Sequence, residues 1–160
     1  DGLKTGHTES AGFNIIASSV DGQRRLIAVI MGGKSSKGRE EQARKLLTWG
    51  QSQFDTIQLF HAGKEIGHEN VWYGNPHRVS LGSEKDVFLA LPRDQVQKVK
   101  ARYVIDRKDL EAPIKLHEQV GTIQLVEGDK TLASYPLVAL QPIEQAGLIT
   151  RISDYIKQKL

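Results

Sequence analysis

GFNIIASSVDGQRRLIAVIM, residues 12–31, is the stretch that decides the architecture of the first part of this chain. Residues 12–20 and 24–31 are rich in apolar side chains, and Asp21-Gly22 between them is a turn signal. Two such runs around a short turn predict an antiparallel hairpin. Residues 26–31 are apolar without interruption, a pattern typical of a strand that is buried on both faces. Residues 3–7 can add a third strand through the loop at residues 9–11.

A helix follows the hairpin. Near Arg39 the apolar residues begin to recur at spacings of three and four, which predicts one apolar stripe on a helix. The stripe consists of Ala43, Leu46, Leu47, Gly50 and Phe54. The charged residues that mostly occupy the other side are Arg39, Glu40, Glu41, Arg44 and Lys45. Because one helix covers one face of a sheet, and a piece this small rarely buries an adequate core, residues 1–53 are predicted to complete a larger sheet. The remainder of that sheet is missing or lies in another chain.

Residues 54–142 have a different period. Short runs with a period of two are separated by glycine and proline, which favours a small antiparallel β-sandwich. The predicted strands are residues 56–60, 69–73, 79–81, 87–91, 99–105, 114–116, 122–126 and 135–140.

Residues 143–160 return to a helical period. One apolar stripe is formed by Leu148, Ile149, Ile152, Tyr155, Ile156 and Leu160. Basic and polar residues lie away from it. A stripe of this kind fits either a helix that packs on its own domain or an amphipathic helix at a membrane surface.

Composition excludes several classes of function. The 160 residues have a net charge of +3 with scattered basic side chains, which gives no specific case for nucleic acid. There is no cysteine, and no apolar run reaches the roughly 18 residues of a membrane-spanning helix. The histidines lack the paired spacing of metal ligands, so we predict neither a metal nor a cofactor.

Lys4-Thr5-Gly6 is the motif that carries chemistry. On a strand it places a cation, a hydroxyl and an unhindered backbone on one edge of a sheet, which suits binding of a peptide's terminal carboxylate beside a reacting carbonyl. Lys-Thr-Gly belongs with Ser-x-x-Lys and Ser-Asp-Asn in a set used by serine acyl-transferases. The other two elements are absent, so this chain alone has no nucleophile of that kind and is predicted to be inactive by itself.

Eight runs extend the match well beyond one tripeptide: DGLKTGHT, AGFNIIAS, RRLIAVIMGG, GREEQARKLLTWG, VWYG, KDVFLALPR, APIKLHEQVGTI and YPLVAL. With these runs the chain resembles the type-5 penicillin-binding proteins, which are bacterial serine D-alanyl-D-alanine carboxypeptidases. The resemblance implies an α+β fold. Residues 1–53 would end a catalytic domain with a serine-transpeptidase/β-lactamase-like antiparallel sheet and a helix. Residues 54–142 would form the β-sandwich domain, and residues 143–160 a short amphipathic C-terminal helix.

The resemblance also implies roles for single residues. Lys4 would attract the substrate carboxylate and support proton transfer, and Thr5 would donate a hydrogen bond to that carboxylate. Gly6 would let the substrate backbone approach the strand. His7 would offer its backbone N–H to the oxyanion. Arg39 would bind the substrate carboxylate, because a planar guanidinium fits it in two-point geometry.

The implied activity is removal of the terminal D-Ala from peptidoglycan stem pentapeptides through an acyl-enzyme, with inhibition by β-lactams. The implied partners are a stem peptide ending in D-Ala-D-Ala, a missing N-terminal catalytic portion and the membrane surface. The implied location is peripheral, on the periplasmic face of the bacterial inner membrane. The alternative function is a non-catalytic β-sandwich module that binds or positions a partner; a β-lactamase fragment is disfavoured by the long trailing β domain.

Overall fold

The computed structural model describes residues 2–159. The chain divides into two compact units, one running up to Ile57 with Ala90–Val96 added, the other formed by Gln58–Leu89 and the chain from Gln97 onward. In chain order the first elements are β1 (Gly2–Thr8), β2 (Gly12–Asp21), β3 (Arg24–Gly33), α1 (Ser36–Gln53), β4 (Phe54–Phe60), β5 (Glu65–Trp72), β6 (Gly74–Asn75), β7 (Arg78–Gly82) and β8 (Val87–Pro92). After a 3-10 turn at Val96–Lys98 come β9 (Lys100–Ile105), β10 (Leu110–Glu111), β11 (Gln119–Glu127), β12 (Lys130–Ala139), β13 (Glu144–Gln145) and α2 (Leu148–Gln158).

The first unit is built on a three-stranded antiparallel sheet in the order β1-β2-β3. The predicted hairpin is confirmed: Asp21 pairs with Arg24 across the turn, and Gly22 adopts a φ of 59°, where glycine is unstrained. The predicted third strand is β1, which runs antiparallel to β2. Helix α1 covers one face of this sheet, where Ile15, Ala17 and Ala43 form a small core.

Strand β3 corrects one prediction. Ala28 is 1% exposed, but Ile27 and Met31 are 64% and 79% exposed, so β3 is not buried on both faces within this chain. The face away from α1 carries exposed apolar side chains, and we call the four that are half or more exposed, Ile16, Ile27, Val29 and Met31, the outer face. A strand that is covered on both faces needs a continuous apolar run, which β3 has. No element within residues 2–159 covers its outer face.

Helix α1 begins at Ser36, three residues before the predicted start. The Ser35 side chain caps it by accepting a hydrogen bond from the Gly38 backbone N–H at 3.0 Å. The inner face of α1 contains Arg39, Ala43 and Gly50, whereas Leu46, predicted for the apolar stripe, is exposed. Arg39, predicted for the solvent side, is instead 9% exposed. It lies four residues before Ala43, and residues four apart share one helix face.

The second unit contains a six-stranded sheet in the order β10-β5-β7-β12-β11-β9. The remaining pairings are β13 with β6 and β4 with β8. The sheet encloses an apolar core, whose largest fully buried side chains include Leu81, Ile123 and Leu137. The predicted strand at residues 114–116 is wrong, because only Ile114 pairs there, in a single bridge to Ile143. With two helices and a mostly β second unit, the predicted α+β class is confirmed.

The helix predicted from residue 143 starts five residues later, as α2. Ile143 is fully buried and exchanges two backbone hydrogen bonds with Ile114, at 2.9 and 2.8 Å, so the chain is still extended there. In the part of the chain that the structure describes, no helix is long and apolar enough to cross a membrane.

Helix α2 contacts the second unit through its polar side. Asp154 is 6% exposed and accepts a hydrogen bond from the Tyr73 backbone N–H at 3.0 Å. The Tyr73 hydroxyl donates to Gln158, whose side-chain amide donates to Glu111 at 3.1 Å. The members of the predicted apolar stripe that the structure describes all face solvent: Leu148, Ile149, Ile152, Tyr155 and Ile156. Leu160, also predicted for the stripe, lies outside the described residues. Packing of the stripe on its own domain, one of the two predicted alternatives, is therefore wrong for these five residues.

Candidate active site

Strand β1 is the edge strand of the first sheet, and all seven of its residues are exposed. Within residues 2–159 it pairs with β2 alone, so its other edge presents backbone N–H and C=O groups without strand partners. An open edge of this kind can accept an extended peptide as an additional strand. The Lys-Thr-Gly motif lies at the middle of this edge.

The strand register divides the motif between two faces. Lys4 pairs with Ile16 and Gly6 with Asn14, so both lie on the side of the outer face. Thr5 pairs with Ile15, which belongs to the core under α1, so Thr5 lies on the opposite side. The Lys4 ammonium donates a hydrogen bond to the Thr5 carbonyl at 2.8 Å, which keeps this cation close to the strand.

Gly6 is not required by the packing of this chain. Apart from its two chain neighbours, no heavy atom of residues 2–159 would lie within 4 Å of a Cβ placed on Gly6, and the φ of Gly6 is not in the left-handed region. The lack of a side chain at this position therefore leaves open space directly beside the strand. That space suits close approach of another backbone.

Arg39 lies behind β1, where its guanidinium contacts the backbone of the motif. Nη1 donates to the carbonyls of Gly6 and Asn14, each at 3.1 Å, and Nη2 donates to the Ser36 hydroxyl at 3.2 Å. The guanidinium carbon is 5.6 Å from the centre of the Phe13 ring, which in turn lies 4.0 Å from the centre of the His7 ring. The structure thus brings Arg39 together with Gly6 and His7. The Nη1 group of Arg39 donates to backbone carbonyls of β1 and β2.

Three residues at this site were not found by sequence reasoning. Phe13 lies between His7 and Arg39, and Asn14 accepts from the Gly32 backbone N–H at 2.9 Å through its side chain. Gly33 leaves room for both neighbours, since a Cβ there would lie 2.9 Å from the Phe13 carbonyl oxygen and 3.3 Å from the Arg39 Cβ. Helical spacing could have found only the inward position of Arg39, which shares a helix face with Ala43, and not these three residues.

Comparison with known proteins identifies the family. The family model described as "Penicillin-binding protein 5, C-terminal domain" matches residues 54–145. The chain belongs to this family. A second model, described as "D-alanyl-D-alanine carboxypeptidase", matches residues 1–35, the segment that contains β1, β2 and β3. The resemblance to type-5 penicillin-binding proteins noted from the sequence is confirmed.

Individual relatives of this penicillin-binding protein family cover nearly the whole chain. D-alanyl-D-alanine carboxypeptidase DacD of Salmonella typhimurium is 58% identical over 99% of the chain, and DacD of Escherichia coli is 52% identical over the same share. The crystal structure of penicillin-binding protein 5 from Haemophilus influenzae superposes with a TM-score of 0.81 at 38% identity, covering 89% of the chain. The chain spans 41% of each DacD relative and 42% of the crystallised chain.

Proposed function

We propose that this chain is part of a DD-carboxypeptidase that removes the terminal D-Ala from peptidoglycan stem pentapeptides through a serine acyl-enzyme and is inhibited by β-lactams. The observation that carries the proposal is the exposed edge strand bearing Lys4-Thr5-Gly6, in a segment that matches the D-alanyl-D-alanine carboxypeptidase model. This match favours the enzyme over a non-catalytic β-sandwich module. The chain supplies the Lys-Thr-Gly strand, and an N-terminal portion supplies the nucleophilic serine.

In the proposed reaction Lys4, Thr5, Gly6 and His7 have separate roles. The Lys4 ammonium attracts the carboxylate of the leaving D-Ala and supports the second serine of the N-terminal portion in passing a proton to the leaving amine. The Thr5 hydroxyl donates to that carboxylate, and the open space at Gly6 admits the substrate backbone. The His7 backbone N–H donates to the oxyanion of the tetrahedral intermediate; one such donor is typically worth about 3–4 kcal/mol.

Penicillin labelling tests the proposed activity. We expect fluorescent penicillin to label the intact protein covalently and Lys4→Ala to lower the labelling rate by about 100-fold, as expected for loss of a preorganised electrostatic contact. Lys45→Ala, an exposed change on α1, serves as the charge-matched control. Absence of covalent labelling in an intact protein that contains Ser-x-x-Lys would reject the carboxypeptidase proposal.

The outer face supports an N-terminal catalytic portion as the partner of the first unit. Its four apolar side chains are each half or more exposed, and full burial of such side chains stabilises by about 1.5–3 kcal/mol each. A covering layer from the rest of the enzyme would supply that burial. In the intact protein we expect a thiol reagent to modify Met31→Cys only after unfolding, while Gln23→Cys in the exposed hairpin turn reacts at once. Equal reaction at the two positions would reject this partner.

We further propose that α2 holds the protein on the periplasmic face of the inner membrane as a peripheral helix. The support is its exposed apolar stripe, flanked by Arg151, Lys157 and Lys159, a combination that suits anionic lipid. We expect binding to anionic vesicles to fall at least tenfold in Ile149→Glu, because each buried apolar side chain contributes about 1.5–3 kcal/mol. Val104→Glu, at another exposed apolar residue of the same unit, is the control. Equal binding of both variants would reject the membrane role.

A further inference from the structure

Arg39 connects the two strands behind the motif. Its Nη1 donates to the carbonyls of Gly6 and Asn14, each at 3.1 Å. These two residues are cross-strand partners in the register of β1 and β2. One nitrogen therefore holds the two strands together at the residue that precedes His7. Hydrogen bonds from a charged donor are stronger than neutral ones, so this contact restrains the strand firmly.

Three of the five N–H donors of Arg39 are in use. Both hydrogens of Nη1 go to backbone carbonyls, and Nη2 gives one hydrogen to the Ser36 hydroxyl at 3.2 Å. Nε is buried and has no partner among the described residues. A carboxylate held in two-point geometry needs two parallel N–H donors on one side of the guanidinium. Nη1 has no hydrogen left for the end-on pair, and burial of Nε closes the side-on pair of Nε and Nη2, so Arg39 does not offer a two-point pair to a substrate.

Aromatic contacts extend the support to the next residue. The Arg39 guanidinium lies over the Phe13 ring at 5.6 Å, and the Phe13 ring lies against the His7 ring at 4.0 Å between centres. Arg39 is 9% exposed, so the guanidinium end of this set of contacts is mostly shielded from water. Arg39 therefore restrains Gly6 by hydrogen bonds and His7 through the Phe13 ring.

We infer that Arg39 is a positioning residue, which fixes the backbone of Gly6 and His7 for the reaction, and that it is not the group that binds the substrate carboxylate. This inference rests on the proposed carboxypeptidase function, because the position it fixes is that of the His7 N–H donor. It replaces the role that the family resemblance implied for Arg39. Displacement of a reacting group by about 1 Å costs on the order of 100-fold in rate, so loss of the support is measurable.

Two acyl donors separate positioning from carboxylate binding. One is benzylpenicillin, which carries a carboxylate; the other is a D-alanyl thioester whose leaving group ends in a neutral amide. Acylation rate constants of the intact enzyme are measured with both. For Arg39→Ala we expect a loss of about tenfold or more with each donor, because a displaced His7 N–H serves both reactions poorly. A loss confined to benzylpenicillin, with the thioester rate changed less than about threefold, would show that Arg39 binds the carboxylate and overturn the inference.

Further variants test the same inference if Arg39→Ala folds poorly. Arg39→Lys retains the charge but cannot donate to two carbonyls and a hydroxyl in the same fixed plane, so we expect it to stay slow with both donors. Ser36→Ala removes the Nη2 contact alone and should give a smaller loss, again with both donors. Lys45→Ala is the control on the same helix. Full restoration by Arg39→Lys with both donors would also contradict the inference.

The result for the unmodified enzyme separates the two proposals. If the enzyme with Arg39 intact is acylated by neither donor, the carboxypeptidase proposal falls and the positioning role falls with it. If that enzyme is acylated by both donors, the proposed function stands, and the pattern among the Arg39 variants alone decides the role of this residue.

Discussion

A buried carboxylate helps to hold helix α2 to the rest of the second unit, and removal of that carboxylate should loosen the helix while the sheet stays folded. Asp154 accepts the Tyr73 backbone N–H at 3.0 Å and lies 3.6 Å from His77 Nδ1. The apolar stripe of α2 faces solvent, so no hydrophobic packing of that stripe replaces the lost contact. An isolated helix of this length is also marginal in water.

The size of the effect follows from the groups involved. Asp154→Ala leaves the Tyr73 N–H without its charged acceptor, which costs about 1–3 kcal/mol. Since α2 opens locally, that free energy corresponds to a rise of about 5- to 150-fold in the rate of amide hydrogen exchange within the helix. The contact between Tyr73 and Gln158 persists and keeps the effect below complete melting.

Hydrogen exchange measured by mass spectrometry on the intact protein gives the assay. We expect faster exchange in peptides from α2 of the Asp154→Ala variant, with peptides from β11 and β12 unchanged. Asp154→Asn is the matched control, because its amide oxygen can still accept from the Tyr73 N–H and the loss should be smaller. Exchange in α2 that changes less than twofold in Asp154→Ala would refute the argument that polar contacts hold this helix.

Three further outcomes follow from single contacts. Gly67→Ala should destabilise the second unit by about 1–3 kcal/mol in denaturant unfolding, because a Cβ would lie 2.6 Å from the Tyr103 ring; an unchanged midpoint would contradict the packing. The Lys115 backbone N–H, which donates to the Glu118 carboxylate at 3.0 Å, lowers the pKa of that carboxyl group. The ionised Glu118 carboxylate therefore stabilises the folded protein at a pH above the pKa that Glu118 has in the unfolded chain, and this stabilisation is lost as the pH falls through its pKa in the folded protein. In thermal unfolding, Glu118→Gln should be less stable than the unmodified protein at pH 7 and equally stable at pH 2. Gly6→Ala should leave the melting temperature unchanged, since nothing lies within 4 Å of the added carbon, yet slow penicillin acylation; equal acylation would remove the proposed substrate approach at Gly6.

The sequence predicts a feature correctly where residues close together in the chain decide both the sequence pattern and the structure. Asp21-Gly22 predicted the hairpin because the turn needs a positive φ at Gly22 and nothing else. The Lys-Thr-Gly strand is predictable because the residue types of the motif themselves indicate binding of a peptide carboxylate. Both features are settled within a few residues of the chain.

Predictions failed where the deciding neighbour was distant or outside the chain. The helical pattern places Arg39 among the charged residues on the side of α1 away from its apolar stripe, whereas the carbonyl groups that accept from it belong to residues 25 and 33 positions earlier. The predicted start of α2 is too early, because the bridge of Ile143 to Ile114 is a long-range pairing that the sequence around residue 143 does not indicate. The apolar run of β3 predicts burial on both faces, whereas the residues that the structure describes cover only one.

Strand β1 also carries a risk of self-association. A fully exposed strand with an unpaired edge is a template for pairing with another copy of itself, and proteins often guard such edges with a lysine. Lys4 lies in the middle of β1, so the cation proposed to attract substrate also repels an identical strand. Replacement of Lys4 by a neutral residue would therefore remove both the activity and the protection of β1 against pairing with an identical strand. Loss of activity in such a variant has to be separated from loss of monomer, which size-exclusion chromatography of the same sample does.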